Sequence, residues 1–328
     1  VYGHHQVLSS YLPSITTENI PLNTIRNPEE AQMGRINIIN CWEAEIIPTP
    51  GLVSEASGKC AHQAIDRAIA DLKTGALDGL VTAPVHKAAM QQAGFPTLGH
   101  TEYITRSVGS KFSLMLMVAD NLRVGLATNH LPLKEVPNQL TTDLIYRKIK
   151  IMSETLKVDF GIERPTIAVL GLNPHAGDQG AVGEEDRQVI APAIQEAKNK
   201  GLLAFGPFPA DGFFGSGQHT RFNGVLAMYH DQGLIPFKTI AFGAGVNYTA
   251  GLSVIRTSPD HGTALDIAGQ NKADETSLIA ALYLAADIIK NRQDFVEMRA
   301  NSLEKRKLKS LESETGEDED MEFIMPEE

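Results

Sequence analysis

Three histidines, His130, His175 and His230, each stand a few residues beyond an apolar, strand-like run. Imidazole is the commonest metal ligand, and three neutral imidazoles leave a divalent cation an open position and most of its charge. One such residue alone reads as a hydrogen-bonded loop histidine. Three at matching places point to a shared metal site, with zinc the expected ion and cobalt, nickel, magnesium or manganese as alternatives. Asp178 and Asp231 lie close to two of the histidines and could orient ring nitrogens or close turns. A cation held this way lowers the pKa of a bound hydroxyl, which suits oxidation of an alcohol or, in a hydrolase, activation of water.

Elements that would position these residues can be read from periodicity. Apolar runs at 36–40, 79–82, 114–119, 122–128, 167–171 and 225–229 read as strands. Helical spacing of apolar residues marks 54–73, 140–158, 184–200 and 277–290. Such alternation predicts an α/β protein: a two-lobed α/β/α architecture with a mostly parallel sheet. Four strands run directly into polar loops: Thr82-Ala-Pro-Val-His-Lys87, Thr128-Asn-His-Leu-Pro132, Gly171-Leu-Asn-Pro-His-Ala-Gly177 and Met228-Tyr-His-Asp-Gln-Gly233. In open α/β sheets ligands sit outside the carboxyl ends of strands, so these loops are expected to share one edge.

Composition narrows the function classes. The formal charge of −11 falls mostly on nine acidic residues after Lys309, leaving −2 for residues 1–309. The segment 310–328 therefore reads as a mobile acidic tail, and neither part has the basic excess of a nucleic-acid binder. No apolar stretch is long enough to span a bilayer, and two cysteines, Cys41 and Cys60, cannot build a disulfide framework; the expected location is the cytoplasm. The opening Val1-Tyr-Gly-His-His reads as the end of a strand entering a loop, so a strand and helix are expected before it.

Six short motifs carry a resemblance. Gly99-His-Thr-Glu102, Thr128-Asn-His-Leu-Pro-Leu133, Leu172-Asn-Pro-His-Ala-Gly177, Pro209-Ala-Asp211, Met228-Tyr-His-Asp-Gln-Gly233 and Asp260-His-Gly-Thr-Ala-Leu-Asp266 occur in the order found in the 4-hydroxythreonine-4-phosphate dehydrogenase family of pyridoxal phosphate biosynthesis. The chain resembles that family from about Gly79 to Ala285. It differs in lacking a Gly- and Pro-rich opening segment and in carrying Asp178 where the family generally has Glu.

The resemblance implies a homodimer with its active site at the subunit interface, and a metal bound by His130, His175 and His230. It implies substrate binding by His100, Thr101, Lys238, Asn247 and Arg256. These residue types make sense as a clamp for phosphate and carboxylate, although taken alone Lys238 and Arg256 read as surface charges, or Arg256 as the close of a strand after the apolar run Leu252 to Ile255. The segment from His261 also resembles the cofactor loop of the isocitrate and isopropylmalate dehydrogenases, so His261, Gly262 and Thr263 are expected to pack against NAD or NADP on a fold of that type. Gly243-Ala-Gly245 lacks the rest of a Rossmann fingerprint and reads as a tight turn beside a ligand. Expected lobes are 1–100 with 246–309, carrying the cofactor loop, and 101–245, carrying the metal and dimer interface.

The implied reaction is NAD-dependent, metal-dependent oxidation and decarboxylation of the small phosphorylated substrate 4-phosphooxy-L-threonine. A dehydrogenase of threonate or erythronate 4-phosphate is the alternative. For the base, Asp211, Lys238 and His100 are candidates; Asp211 could equally cap the turn at Gly212.

Overall fold

The computed structural model describes residues 1–300 apart from 44, 45, 47, 48 and 98; the acidic tail lies outside the described residues. β1 (Tyr2–Gly3) leads into α1 (His5–Ile15), β2 (Leu22–Ile25) and β3 (Ile36–Asn40). Next come α2 (Glu55–Lys73), β4 (Gly79–Val81), α3 (Lys87–Gln92) and α4 (His100–Ser107). The hairpin of β5 (Leu114–Ala119) and β6 (Leu122–Leu126) precedes α5 (Val136–Gln139), α6 (Thr142–Val158), β7 (Thr166–Leu170), α7 (Ala191–Asn199) and β8 (Leu203–Phe208). Then follow α8 (Ala210–Gly215), β9 (Gly224–Ala227), α9 (His230–Ile240), β10 (Val246–Ala250), β11 (Ile255–Pro259) and α10 (Thr276–Ala300).

The strands form a small parallel sheet, β1-β3-β2, and an eight-stranded sheet in the order β4-β11-β10-β5-β6-β9-β7-β8. Four of the seven pairings in the larger sheet are parallel, and those of β10 with β11, β10 with β5 and β5 with β6 are antiparallel. The α/β class with a mostly parallel sheet is therefore as the periodicity indicated. Strands from both expected lobes meet in this one sheet.

Strand alternation sends successive side chains to opposite faces. Leu114, Leu116 and Val118 of β5 join Ile167 and Val169 of β7 under α6, α7 and α10. Met117, Ala119, Ala168 and Leu170 point the other way, against Phe213 of α8 and Leu234 and Phe237 of α9. A third cluster joins α2, α3 and α4 through Ile65, Ile69, Met90, Phe95 and Ile104. Helix α6 lies close to the sheet because two strand positions lack side chains. A Cβ at Gly125 would come within 2.6 Å of Met152 Cε, and one at Gly224 within 3.0 Å of Met152 Sδ.

Two expectations change. The single helix read at 184–200 is a π-helical turn, Asp186–Ile190, followed by α7. Pro192 lies in the first turn of α7 and lacks an amide hydrogen, so the regular hydrogen-bond ladder cannot run through it. Nor do the four polar loops leave one edge. Because β5 and β6 are antiparallel, β4 runs against β6, β7 and β9, and the loop after β4 leaves from the opposite edge. The residues meet over a face of the sheet instead.

Candidate active site

A cleft of about 910 Å³ lies over β5, β10 and β11, walled by α9 on one side and by α3 and α4 on the other. Its floor follows from strand alternation. On β10, Tyr248 and Ala250 enter the core, so Asn247 faces the other way, toward the cleft. Its partner across the antiparallel pair is Ser258, and Arg256 lies on the same face of β11. Met115 continues the floor on β5. Helix α9 supplies His230, Asp231, Leu234, Ile235 and Lys238, a set at helical spacing that forms one wall.

Arg256 decides the character of the cleft. It is 1% exposed and sits inside a strand, so neither the surface-charge reading nor the strand-end reading holds. Its Nε and Nη2 donate to Thr82 Oγ1 at 3.1 and 2.7 Å, and Nη1 donates to Thr249 Oγ1 at 3.1 Å and Thr101 Oγ1 at 3.3 Å. Nη2 also lies 2.5 Å from His100 Nε2. Among the described residues no carboxylate pairs with it. Burial pushes its pKa down to about 10, opposed by the more distant Glu102. A guanidinium does not lose its proton at neutral pH even so, and a cation ringed by hydroxyls keeps its charge for a bound anion.

His100 opens α4, where Gly99 is the cap residue, and Thr101 follows it. Burial first, then Arg256 and Lys87, push the His100 pKa down to about 3, so the ring is neutral at physiological pH. Lys238 Nζ lies 3.2 Å from Asp260 Oδ1 and donates to the Asp260 backbone oxygen at 3.3 Å. Burial raises the Asp260 pKa, opposed by Lys238. The side-chain oxygen of Asn247 is buried without a donor, an acceptor awaiting a partner.

The histidines divide. Strands β6 and β9 are parallel neighbours, so their following loops bring His130 and His230 together, with ring centroids 5.4 Å apart. His230 Nδ1 lies 2.7 Å from Asp231 Oδ1, which leaves Nε2 free for a ligand. His130 is open to solvent on one side, yet desolvation by the cleft wall, with Lys87 and His230, lowers its pKa and favours the neutral form that binds metal.

His175 is exposed and does not line the cleft of its own chain. Among the described residues of one chain, no group of three or more metal-binding side chains converges. The His175 loop is nonetheless tightly specified. Residues His175 to Gln179 all have positive φ, at a cost of roughly 1–2 kcal/mol for each residue other than glycine. Buried Asp186 offsets this by accepting from the amides of Leu172 and Asn173 at 2.8 and 3.1 Å and from Asn173 Nδ2 at 2.9 Å.

His261 and Gly262 line the cleft and also a second cavity of about 350 Å³, which Lys238 and Asp260 share as well. The turn at Gly243–Gly245 borders this second cavity. Thr263 continues the loop but is not among the lining residues of either space, and Asp211 is exposed at the start of α8, away from both. Sequence reasoning assigned no role to Lys87, Glu102, Asp260 or Ser258, all of which line the cleft. Lys87 and Asp260 stood in the quoted strand-end and histidine-glycine motifs and could have been picked up there; Ser258 had no signal without the β10–β11 register.

Comparisons with known proteins agree with this geometry. The profile of the family described as pyridoxal phosphate biosynthetic protein PdxA matches residues 1–285, beginning well before the motifs near Gly79. A 4-hydroxythreonine-4-phosphate dehydrogenase of Bacteroides thetaiotaomicron is 44% identical over 307 residues, covering 93% of this chain and 84% of the relative. One from Acidithiobacillus ferrooxidans is 46% identical over 244 residues, covering 74% and 73%. The crystal structure of the Klebsiella pneumoniae enzyme of the same name superposes with a TM-score of 0.78 at 37% identity, covering 88% of this chain and 87% of that one. With the family profile spanning most of its length and relatives this similar, the chain belongs to the pyridoxal phosphate biosynthetic protein PdxA family.

Proposed function

We propose that the chain is an NAD-linked, divalent-metal-dependent dehydrogenase of 4-phosphooxy-L-threonine that oxidises the alcohol, loses carbon dioxide, and acts as a homodimer. Its relatives bear the name of that activity. The observation that carries the reading in this molecule is Arg256, a buried cation without a counter-charge among the described residues, on the floor of a cleft that the paired His130 and His230 also line.

In this reading Arg256, His100 and Thr101 receive the phosphate, while Lys238 and Asn247 bind the amino acid end. Lys238, held by Asp260, presents an ammonium where negative charge grows on the carboxylate or keto oxygen, an interaction that strengthens in the transition state. Proton transfer is assigned to the Lys238–Asp260 pair rather than to Asp211, which one chain holds away from the cleft.

His130 and His230 supply two ligands of a metal site, and His175 of a second copy supplies the third; the exposure and fixed shape of the His175 loop suit that part. Zinc fits a set of neutral imidazoles. The linked second cavity has room for the adenosine half of a dinucleotide. Asp260 and Asp274 line it and, among the described residues, no arginine does, which favours NAD over NADP. When bound, the cation supplies Lewis-acid polarisation of the hydroxyl and the nicotinamide supplies the hydride acceptor.

The test is NAD reduction with 4-phosphooxy-L-threonine, abolished by chelator and restored by zinc; no turnover in metal-replete buffer refutes the proposal. Cross-subunit ligation is tested by co-refolding inactive His130→Ala and His175→Ala chains. Random pairing leaves intact about a quarter of sites if the third histidine crosses over, and none if all three ligands come from one chain.

A further inference from the structure

Thr82 follows β4, is 7% exposed, and has its amide tied to Thr257 O at 3.0 Å. Its hydroxyl has three neighbours: Arg256 Nε at 3.1 Å, Arg256 Nη2 at 2.7 Å and His100 Nε2 at 3.2 Å. A threonine hydroxyl has two lone pairs and one proton, and a guanidinium can only donate. The two Arg256 contacts therefore occupy both lone pairs, and the proton is left for His100 Nε2.

The same imidazole nitrogen lies 2.5 Å from Arg256 Nη2, which has a second hydrogen to give. Both neighbours of Nε2 present protons to it, so Nε2 carries none. A neutral ring then holds its hydrogen on Nδ1.

We propose that Thr82 is a positioning residue: acting through Arg256 and His100, it aims the guanidinium and fixes His100 as the Nδ1–H tautomer, so that the imidazole is a hydrogen-bond donor to the substrate's anionic end and not a base. The identity of that anion rests on the proposed function; the tautomer does not. His100 thereby leaves the set of possible bases, since the lone pair that would accept a proton is already engaged by two donors.

Thr82→Val keeps the shape of the side chain and removes only the hydroxyl, while Thr82→Ser keeps the hydroxyl. Long-range ¹H–¹⁵N correlation spectra of the full chain labelled in histidine, with His100 assigned by loss of its signals in His100→Asn, read the tautomer directly. Wild type and Thr82→Ser are expected to show the proton on Nδ1 from pH 6 to 8, and Thr82→Val to populate the other tautomer. In parallel, Thr82→Val should raise KM for the phosphorylated substrate by about 10-fold or more, the scale of one hydrogen bond to a charged group. Thr82→Ser should remain near wild type, with KM for NAD unmoved in both variants.

A wild-type His100 carrying its proton on Nε2 overturns the proposal. So does a Thr82→Val chain that matches wild type in tautomer and KM, or a Thr82→Ser chain as impaired as Thr82→Val. If wild type turns over no phosphorylated hydroxy acid, the functional reading fails and the spectra alone still decide the role of Thr82.

Discussion

Arg256 and Arg292 are both drawn away from solvent, and they are treated in opposite ways. Arg292 on α10 meets Asp159 Oδ1 at 2.7 Å and Tyr248 Oη at 3.2 Å, and Tyr248 in turn donates to Asp159 Oδ2 at 2.6 Å. Burial alone would lower its pKa, but the bond to Asp159 and the fields of Tyr248 and Asp159 outweigh that, and the net shift is upward. Arg256, more deeply buried, has three threonine hydroxyls and an imidazole instead, and its pKa falls. The first charge is neutralised inside the fold and clamps α10 to the end of α6. The second is left uncompensated where a cleft reaches it. What surrounds a buried cation, more than the burial itself, separates a structural residue from a binding residue.

The contrast can be broken most decisively at Arg256. Arg256→Met should raise KM for the phosphorylated substrate by about 100-fold or more, from the loss of two charge-assisted hydrogen bonds. Its denaturant-unfolding free energy should stay within about 1 kcal/mol of wild type, because no buried partner charge is stranded. Steady-state kinetics with urea titration checks both halves; a collapse in stability with unchanged KM would reverse the assignment.

Asp159→Ala should do the converse. It strands Arg292 and costs about 3 kcal/mol of stability, at the low end for a buried pair because Arg292 keeps some contact with water. Activity per folded molecule and KM should be unaffected. The smallest expected effect concerns pH. His100 has a folded pKa near 3, below the unfolded value of about 6.5, so the unfolded chain binds the proton more readily. Its contribution is complete above about pH 6.5 and is lost as pH falls from there toward about 3. Between pH 7 and 5 the loss is on the order of 2 kcal/mol, and His100→Asn should flatten that part of the urea-midpoint profile.

Elements with one uniform job were legible in the sequence. Strands β5, β6 and β7 and helices α2, α6 and α10 each bury a regular apolar stripe, and periodicity finds such stripes. Strands β10 and β11 were not, because Val246-Asn-Tyr-Thr-Ala and Ile255-Arg-Thr-Ser-Pro turn one face to the core and the other to a polar cleft. Of the apolar run at 252–255 just before Arg256, only the last residue is in a strand. Helix α9 was hidden for the same reason, since the wall it builds mixes His230, Asp231 and Lys238 with Leu234 and Ile235.

At the site, the motifs and the family they resemble named residues, and geometry stayed out of reach. Motifs named His100, His130 and His230, the resemblance they carry added Arg256, and the structure gathers all four in one cleft. Nothing in the spacing could show that His175 follows a strand adjacent to β9 yet faces away from the cleft of its own chain.

The left-handed run from His175 to Gln179 has a consequence for recognition. Its backbone freedom is already surrendered in the isolated chain, held by Asp186 and the buried Gly177. Whatever engages that imidazole meets a finished surface, so the ordering entropy that usually weakens capture by a loop is absent from the binding step.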